Sequence, residues 1–192
     1  MKIYREFAET VIVAALIFVA LQATTQTFRI LGPSMRPTLI SGEYVLVNKL
    51  VYAHTGGTAL ASVVSEEAAT RDYLFRAPER GDVIVFHPPG GVEEDFVKRV
   101  IGVPGDEVDI RDGHVYIRRP SSTGWERLEE EVETSPGGAL DYPVEVPAGQ
   151  YFVLGDNRRQ SNDSRAWGFA RADQIIGRVM LRYWPISHFK IF

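Results

Sequence analysis

Residues 95–118 read DFVKRVIGVPGDEVDIRDGHVYIR. Val, Ile, Tyr and Phe suit a pleated, half-buried surface, whereas Pro, Gly and Asp interrupt one. The interruptions fall at Pro104-Gly105-Asp106 and at Asp112-Gly113. An Asp-Gly pair between VDI (108–110) and HVYI (114–117) predicts a two-residue hairpin, because both central positions of that turn take positive φ. The stretch therefore reads as a strand, a turn and an antiparallel hairpin.

The same texture extends outward to YVLVNKLVY (44–52), DVIVFH (82–87), YFVLGD (151–156) and RVMLRYWPI (178–186), with another turn at Arg80-Gly81-Asp82. Helical periodicity is weak in this region apart from a short turn at ARADQII (170–176). Two stretches read as insertions. Residues 54–76, with ASVVSEEAATRDYL, predict a short helix, and the acidic 119–141, with EEEVETSPGG, a mobile excursion. The expected fold is mainly β, an antiparallel sheet or barrel-like domain.

One segment stands apart. From Thr10 to Phe28 there are 19 residues without a charge, centred on VIVAALIFVALQA (11–23). As a helix they reach roughly 28 Å, close to the ~30 Å hydrocarbon core of a bilayer. A cleaved signal peptide, a buried core helix and a membrane anchor compete. Glu6 and Glu9 suit a signal peptide poorly, and a core helix should carry a polar stripe that this one lacks. The anchor fits best, with TTQTF (24–28) at the interface. Lys2 and Arg5 point weakly to a cytoplasmic N-terminus and an extracytoplasmic remainder. The expected division is 1–28 as cytoplasmic tip and anchor, and 29–192 as an extracytoplasmic β-rich domain.

Composition narrows the chemistry. The 192 residues are 45% hydrophobic and 24% charged, with net charge −4. Nothing there calls for nucleic acid as a partner. The chain has no cysteine, which excludes thiol catalysis, disulfides and cysteine-bound metals. His54, His87, His114 and His188 are scattered without metal-binding spacing. No metal and no cofactor are expected.

Ser34 sits in GPSMRPTL (32–39), where Gly32, Pro33 and Pro37 constrain the backbone around its hydroxyl. A nucleophilic serine needs a base within hydrogen-bond reach, and a lone Gly-Pro-Ser is otherwise an ordinary turn. Lys98 offers the base. Strand alternation puts it on one face with Phe96 and Val100, while Arg99 points the other way. A surface lysine merely snorkels, but a buried one loses its proton more easily. Ser-Lys pairs are a known variant of hydroxyl nucleophile design. The block GDNRRQSNDSR (155–165) reads as a solvated loop; its Asp156, Asn162 and Asp163 do not fit calcium-loop spacing.

Taken in order, the N-terminal apolar segment, GPSMRPTL (32–39), RGDVIVF (80–86), DFVKRVIGVPGD (95–106) and GDNRRQSNDSRAWG (155–168) resemble the bacterial type I signal peptidases. The resemblance spans nearly the whole chain except the two insertions. It implies a membrane-anchored serine protease of the cell membrane, in contact with the lipid bilayer, that cleaves signal peptides from exported preproteins. On it, Ser34 is the nucleophile and Lys98 the general base. Ser161 holds the lysine amine, Asp156 pairs with Arg99, and Asp163 pairs with Arg165. The Ser34 N–H serves the oxyanion; Gly32 stands where one branch of the family supplies a second donor from a serine hydroxyl. Phe28, Ile30, Met35, Leu39, Phe96 and Val97 fall at the apolar substrate pockets, which select Ala-x-Ala because shallow apolar sites exclude larger side chains. Any one of these is equally explained by core packing. Arg159 and Gln160 depart from the Asp-Asn frequent in the family. Two rivals share parts of this pattern: the self-cleaving SOS repressors, which lack a membrane segment, and a non-catalytic membrane-anchored binding module.

Overall fold

The computed structural model describes residues 2–52, 73, 75–130, 134 and 137–192. Of the stretch 54–76, where a helix is expected, only Tyr73, Phe75 and Arg76 are described and none of them is helical; the rest lies outside the described residues. The uncharged N-terminal run forms α1 (Lys2–Thr24), exposed from Tyr4 to Ala23. Among the described residues it is the one helix long and apolar enough to cross a membrane. It stops at Thr24, short of Phe28. The next residues, read above as its interfacial flank, are strand β1 (Thr25–Arg29), paired with β2 (Tyr44–Asn48). The β-propensity of Thr and Phe and the backbone partners on β2 end the helix there. Lys49 N also donates to Thr24 O at 2.9 Å.

The remaining strands are β3 (Val83–Phe86), β4 (Phe96–Gly102), β5 (Glu107–Arg111), β6 (His114–Arg118), β7 (Glu126–Arg127), β8 (Val144–Glu145) and β9 (Gln150–Leu154). A single helical turn, α2 (Ser164–Trp167), precedes β10 (Ala170–Arg171), β11 (Ile175–Trp184) and β12 (Lys190–Ile191). The residues expected to turn at 170–176 divide between β10, a 3-10 turn at Ala172–Gln174, and the start of β11. All the pairings described are antiparallel, as expected. One sheet runs β1-β2-β11-β3-β4-β9-β10, with β12 on β11; the other runs β7-β6-β5-β8. The Asp-Gly hairpin joins β5 to β6, with Asp112 at φ 51 and Gly113 at φ 77. Both central residues have positive φ, as the two-residue turn requires.

Burial explains the runs. β3 is buried at every position because two cores sandwich it. Ile84 and Phe86 join a cluster with Tyr52, Val100, Tyr151 and Val153. Val83 and Val85 face another, with Ile30, Met35, Leu39, Val45 and Val179. A third cluster joins Phe152 and Leu154 of β9 to Val108, Ile110, Val115 and Ile117 of the hairpin. β4 passes between these cores, so its own polar residues, Lys98 and Arg99, are carried into the interior.

Candidate active site

Lys98 is 4% exposed. Its Nζ lies 3.0 Å from Ser34 Oγ and donates to the Val97 carbonyl, also at 3.0 Å. The Phe96 ring centroid is 5.0 Å away, on the face that strand alternation predicted. Burial disfavours the ammonium and lowers the amine's pKa from 10.5 to about 8, against the pull of Asp163 and Asp156 towards the charged form.

Ser34 reaches the lysine from the loop between β1 and β2. That loop closes on itself through Ile30 N to Glu43 O at 2.8 Å and Gly42 N to Ile30 O at 2.9 Å. Met35 and Leu39 plug it into the core at 1% and 0% exposure. The Ser34 carbonyl accepts from Asn157 N at 2.9 Å, and the Pro33 carbonyl from Asn157 Nδ2 at 3.2 Å. Beneath lies Gly155. A Cβ there would stand 2.5 Å from Ser34 O and 2.3 Å from Ser161 Oγ, so no larger residue fits without displacing one of them.

Two buried ion pairs frame Ser34 and Lys98. Arg99 grips Asp156 with two nitrogens: Nε to Oδ1 at 2.8 Å and Nη2 to Oδ2 at 2.7 Å. Its Nη1 donates to Gly81 O at 2.8 Å, and Thr38 Oγ1 donates to the same carboxylate. Arg165 grips Asp163 likewise, at 2.8 Å through both Nε and Nη2, and Asp163 Oδ2 accepts Gly155 N at 3.1 Å. The polar block that reads as a solvated loop is thus half interior, because each buried charge meets a partner of opposite sign.

The family described as "Signal peptidase, peptidase S26" matches residues 4–184. The chain belongs to this signal peptidase family. It is 34% identical over 207 residues to signal peptidase IB of Staphylococcus aureus, covering 97% of this chain and 94% of that one. It is 31% identical over 187 residues to a probable signal peptidase I-2 of Synechocystis sp., covering 94% and 73%. A crystal structure of a signal peptidase I from Enterococcus faecalis V583 aligns with 54% of this chain and 97% of that one, at 31% identity and a TM-score of 0.42. Membership of S26 makes the chain a peptidase, and neither the repressor nor the binding-module reading is needed.

In this S26 peptidase a cleft of about 370 Å³ opens beside Ser34 and Lys98. Phe28, Ile30, Phe96 and Val97 line it, together with Leu31 and Val85. Met35 and Leu39 do not; they are the core that supports its floor. The rim carries Arg29, Glu94, Asp95 and Asn162. Gly32 takes φ 79, a conformation suited to glycine, and adds no side-chain donor. Ser161 departs from expectation. Its Oγ is buried without a hydrogen-bond partner among the described residues and rests over Gly155, while the lysine amine is held by Val97 O.

Four contributors escaped the sequence reading: Thr38, Gly155, Asn157 and Val85. All four lie inside motifs quoted above, but nothing in a linear pattern says which member of a motif will touch another. Among the described residues no group of three or more His, Asp or Glu is placed to hold a metal ion.

Proposed function

We propose that this chain is a membrane-anchored serine endopeptidase that removes signal peptides from exported preproteins with Ser34 as nucleophile and Lys98 as general base. The observation that carries the reading is the 3.0 Å separation of Lys98 Nζ and Ser34 Oγ in a buried setting, within a chain of the signal peptidase family. A neutral lysine amine accepts the Ser34 proton as Oγ attacks the scissile carbonyl. The resulting ammonium then protonates the leaving amine, and water enters to release the acyl group by the same path reversed. Burial serves this chemistry: at an ordinary pKa well under 1% of a lysine is neutral near pH 7, whereas at about 8 roughly a tenth is.

The Ser34 N–H donates to the oxyanion, and Asp156–Arg99 and Asp163–Arg165 hold the frame. Ser161 keeps the lysine-orienting role implied by the family resemblance, to be reached by a rotation of its unpartnered hydroxyl; unimpaired turnover by Ser161→Ala removes that role. Phe28, Ile30, Val85, Phe96 and Val97 form the apolar wall that admits the small side chains of Ala-x-Ala. The exposed apolar helix α1 is the anchor, with its N-terminus cytoplasmic and the sheets outside. The boundary falls at Thr24/Thr25, because β1 belongs to the sheet. An anchored enzyme shares the bilayer with the signal peptide and meets it at high effective concentration.

The test is cleavage of a detergent-solubilised preprotein bearing an Ala-x-Ala site. Ser34→Ala and Lys98→Ala should each abolish cleavage at that site; wild-type turnover by either overturns the dyad. Orientation is tested separately. The chain has no cysteine, so a cysteine introduced at Arg5 or at Ile186 reports its own side of the membrane to an impermeant maleimide.

A further inference from the structure

Arg158 is 3% exposed although it carries a full charge. A buried guanidinium needs a carboxylate, and none of the polar block's own acids serves it. Its partner comes from the acidic excursion: Arg158 Nη2 donates to Glu130 Oε1. Thr134 Oγ1 steadies the other oxygen of Glu130 at 3.1 Å. The excursion makes a second contact at Gly137, whose carbonyl accepts Arg165 Nη1 at 3.0 Å. At Gly138 a Cβ would stand 2.4 Å from that same nitrogen, so the lack of a side chain there lets the backbone lie directly against Arg165. The excursion expected to be mobile is therefore fastened to the block at these points.

What the fastening holds is Gly155. Arg158 Nε donates to Gly155 O at 3.0 Å, while Gly155 N donates to Asp163, itself gripped by Arg165. Both peptide groups of Gly155 are thus tied to arginines that the excursion engages. Gly155 is also the surface on which Ser34 O and Ser161 Oγ rest. We propose that Glu130 is a positioning residue for the Ser34–Lys98 reaction, acting through Arg158 and the Gly155 carbonyl. The inference rests on the dyad reading given above.

The physical reason is the cost of an uncompensated buried charge. Without the Glu130 carboxylate, Arg158 turns towards water and releases Gly155 O, and the peptide under Ser34 is free to tilt. A displacement of about 1 Å in a reacting group can cost on the order of 10²-fold in rate. Glu130 lies away from the substrate cleft, so substrate binding is spared.

The experiment compares kcat and KM of full-length wild type, Glu130→Gln, Thr134→Val, Glu126→Gln and Ser34→Ala on a detergent-solubilised preprotein. Near-ultraviolet circular dichroism gives the folded fraction, so that kcat is expressed per folded molecule. Glu130→Gln should lose about 10- to 100-fold in kcat with KM within about twofold, and Thr134→Val several-fold. Glu126, an exposed acid of the same excursion paired with Arg119, should be replaceable without effect. An unchanged kcat per folded molecule in Glu130→Gln overturns the proposal, as does a loss confined to KM or an equal loss in Glu126→Gln. If Glu130→Gln does not fold, Thr134→Val decides, and a normal kcat there overturns it. Residual cleavage by Ser34→Ala would instead sink the dyad reading, a distinct failure.

Discussion

Lys98 Nζ and Ser34 Oγ, 64 positions apart in the chain, stand 3.0 Å from each other where β4 passes the loop between β1 and β2. The lysine is brought there as part of a strand and the serine by a loop plugged into the core. Their meeting desolvates the amine, and from that follow two consequences of opposite sign for rate and stability.

The rate consequence concerns pH. A base with pKa of about 8 is mostly protonated at pH 6 and mostly free at pH 9. The expected kcat/KM climbs about tenfold per pH unit below 8 and levels above it. A flat profile from pH 6 to 9 would exclude Lys98 as the base.

The stability consequence is a cost. Folding lowers the amine's pKa from 10.5 to about 8, so between those values the unfolded chain binds more protons. Stability therefore rises with pH across that window and is lost again as pH falls through it. The span corresponds to about 3 kcal/mol. Lys98→Met should abolish the rise, and at pH 7 it should unfold at higher denaturant concentration than wild type while being inactive. Equal midpoints at pH 7 would mean that the amine is not desolvated.

Gly155→Ala asks whether close approach matters. The added methyl would sit 2.5 Å from Ser34 O, and backbone yields less readily than the Ser161 side chain on its other side. A kcat loss on the order of 10²-fold with a folded chain is expected. Turnover near wild type would show that the loop can move away at no cost to the dyad.

Asp156→Asn removes the charge that Arg99 grips while keeping the shape. Breaking a buried pair from one side leaves the other charge stranded, at a cost on the order of 3–5 kcal/mol. Chemical denaturation should show it as a lower midpoint with an unchanged slope; a loss under about 1 kcal/mol would mean that water reaches Arg99.

By itself the sequence determined what is local. The strands follow from runs of β-branched and aromatic residues between turn signals, the β5–β6 hairpin from an Asp-Gly pair able to take positive φ, and α1 from a run without charge. The face of β4 that Lys98 occupies also follows from alternation, because a strand's period ties each side chain to its neighbours two residues away. The need of a nucleophilic serine for a base linked Ser34 to Lys98, and the family resemblance added the pairing of Asp156 with Arg99. Only the tertiary structure decided what depends on approach between distant segments. It turned Met35 and Leu39 from pocket walls into core, ended the helix at Thr24 because β2 offered partners, and left Ser161 Oγ unpaired over Gly155. It also tied Glu130 to Arg158. Burial and close contact are properties of packing between segments, and residues adjacent in sequence carry no record of which remote surface will exclude water from them.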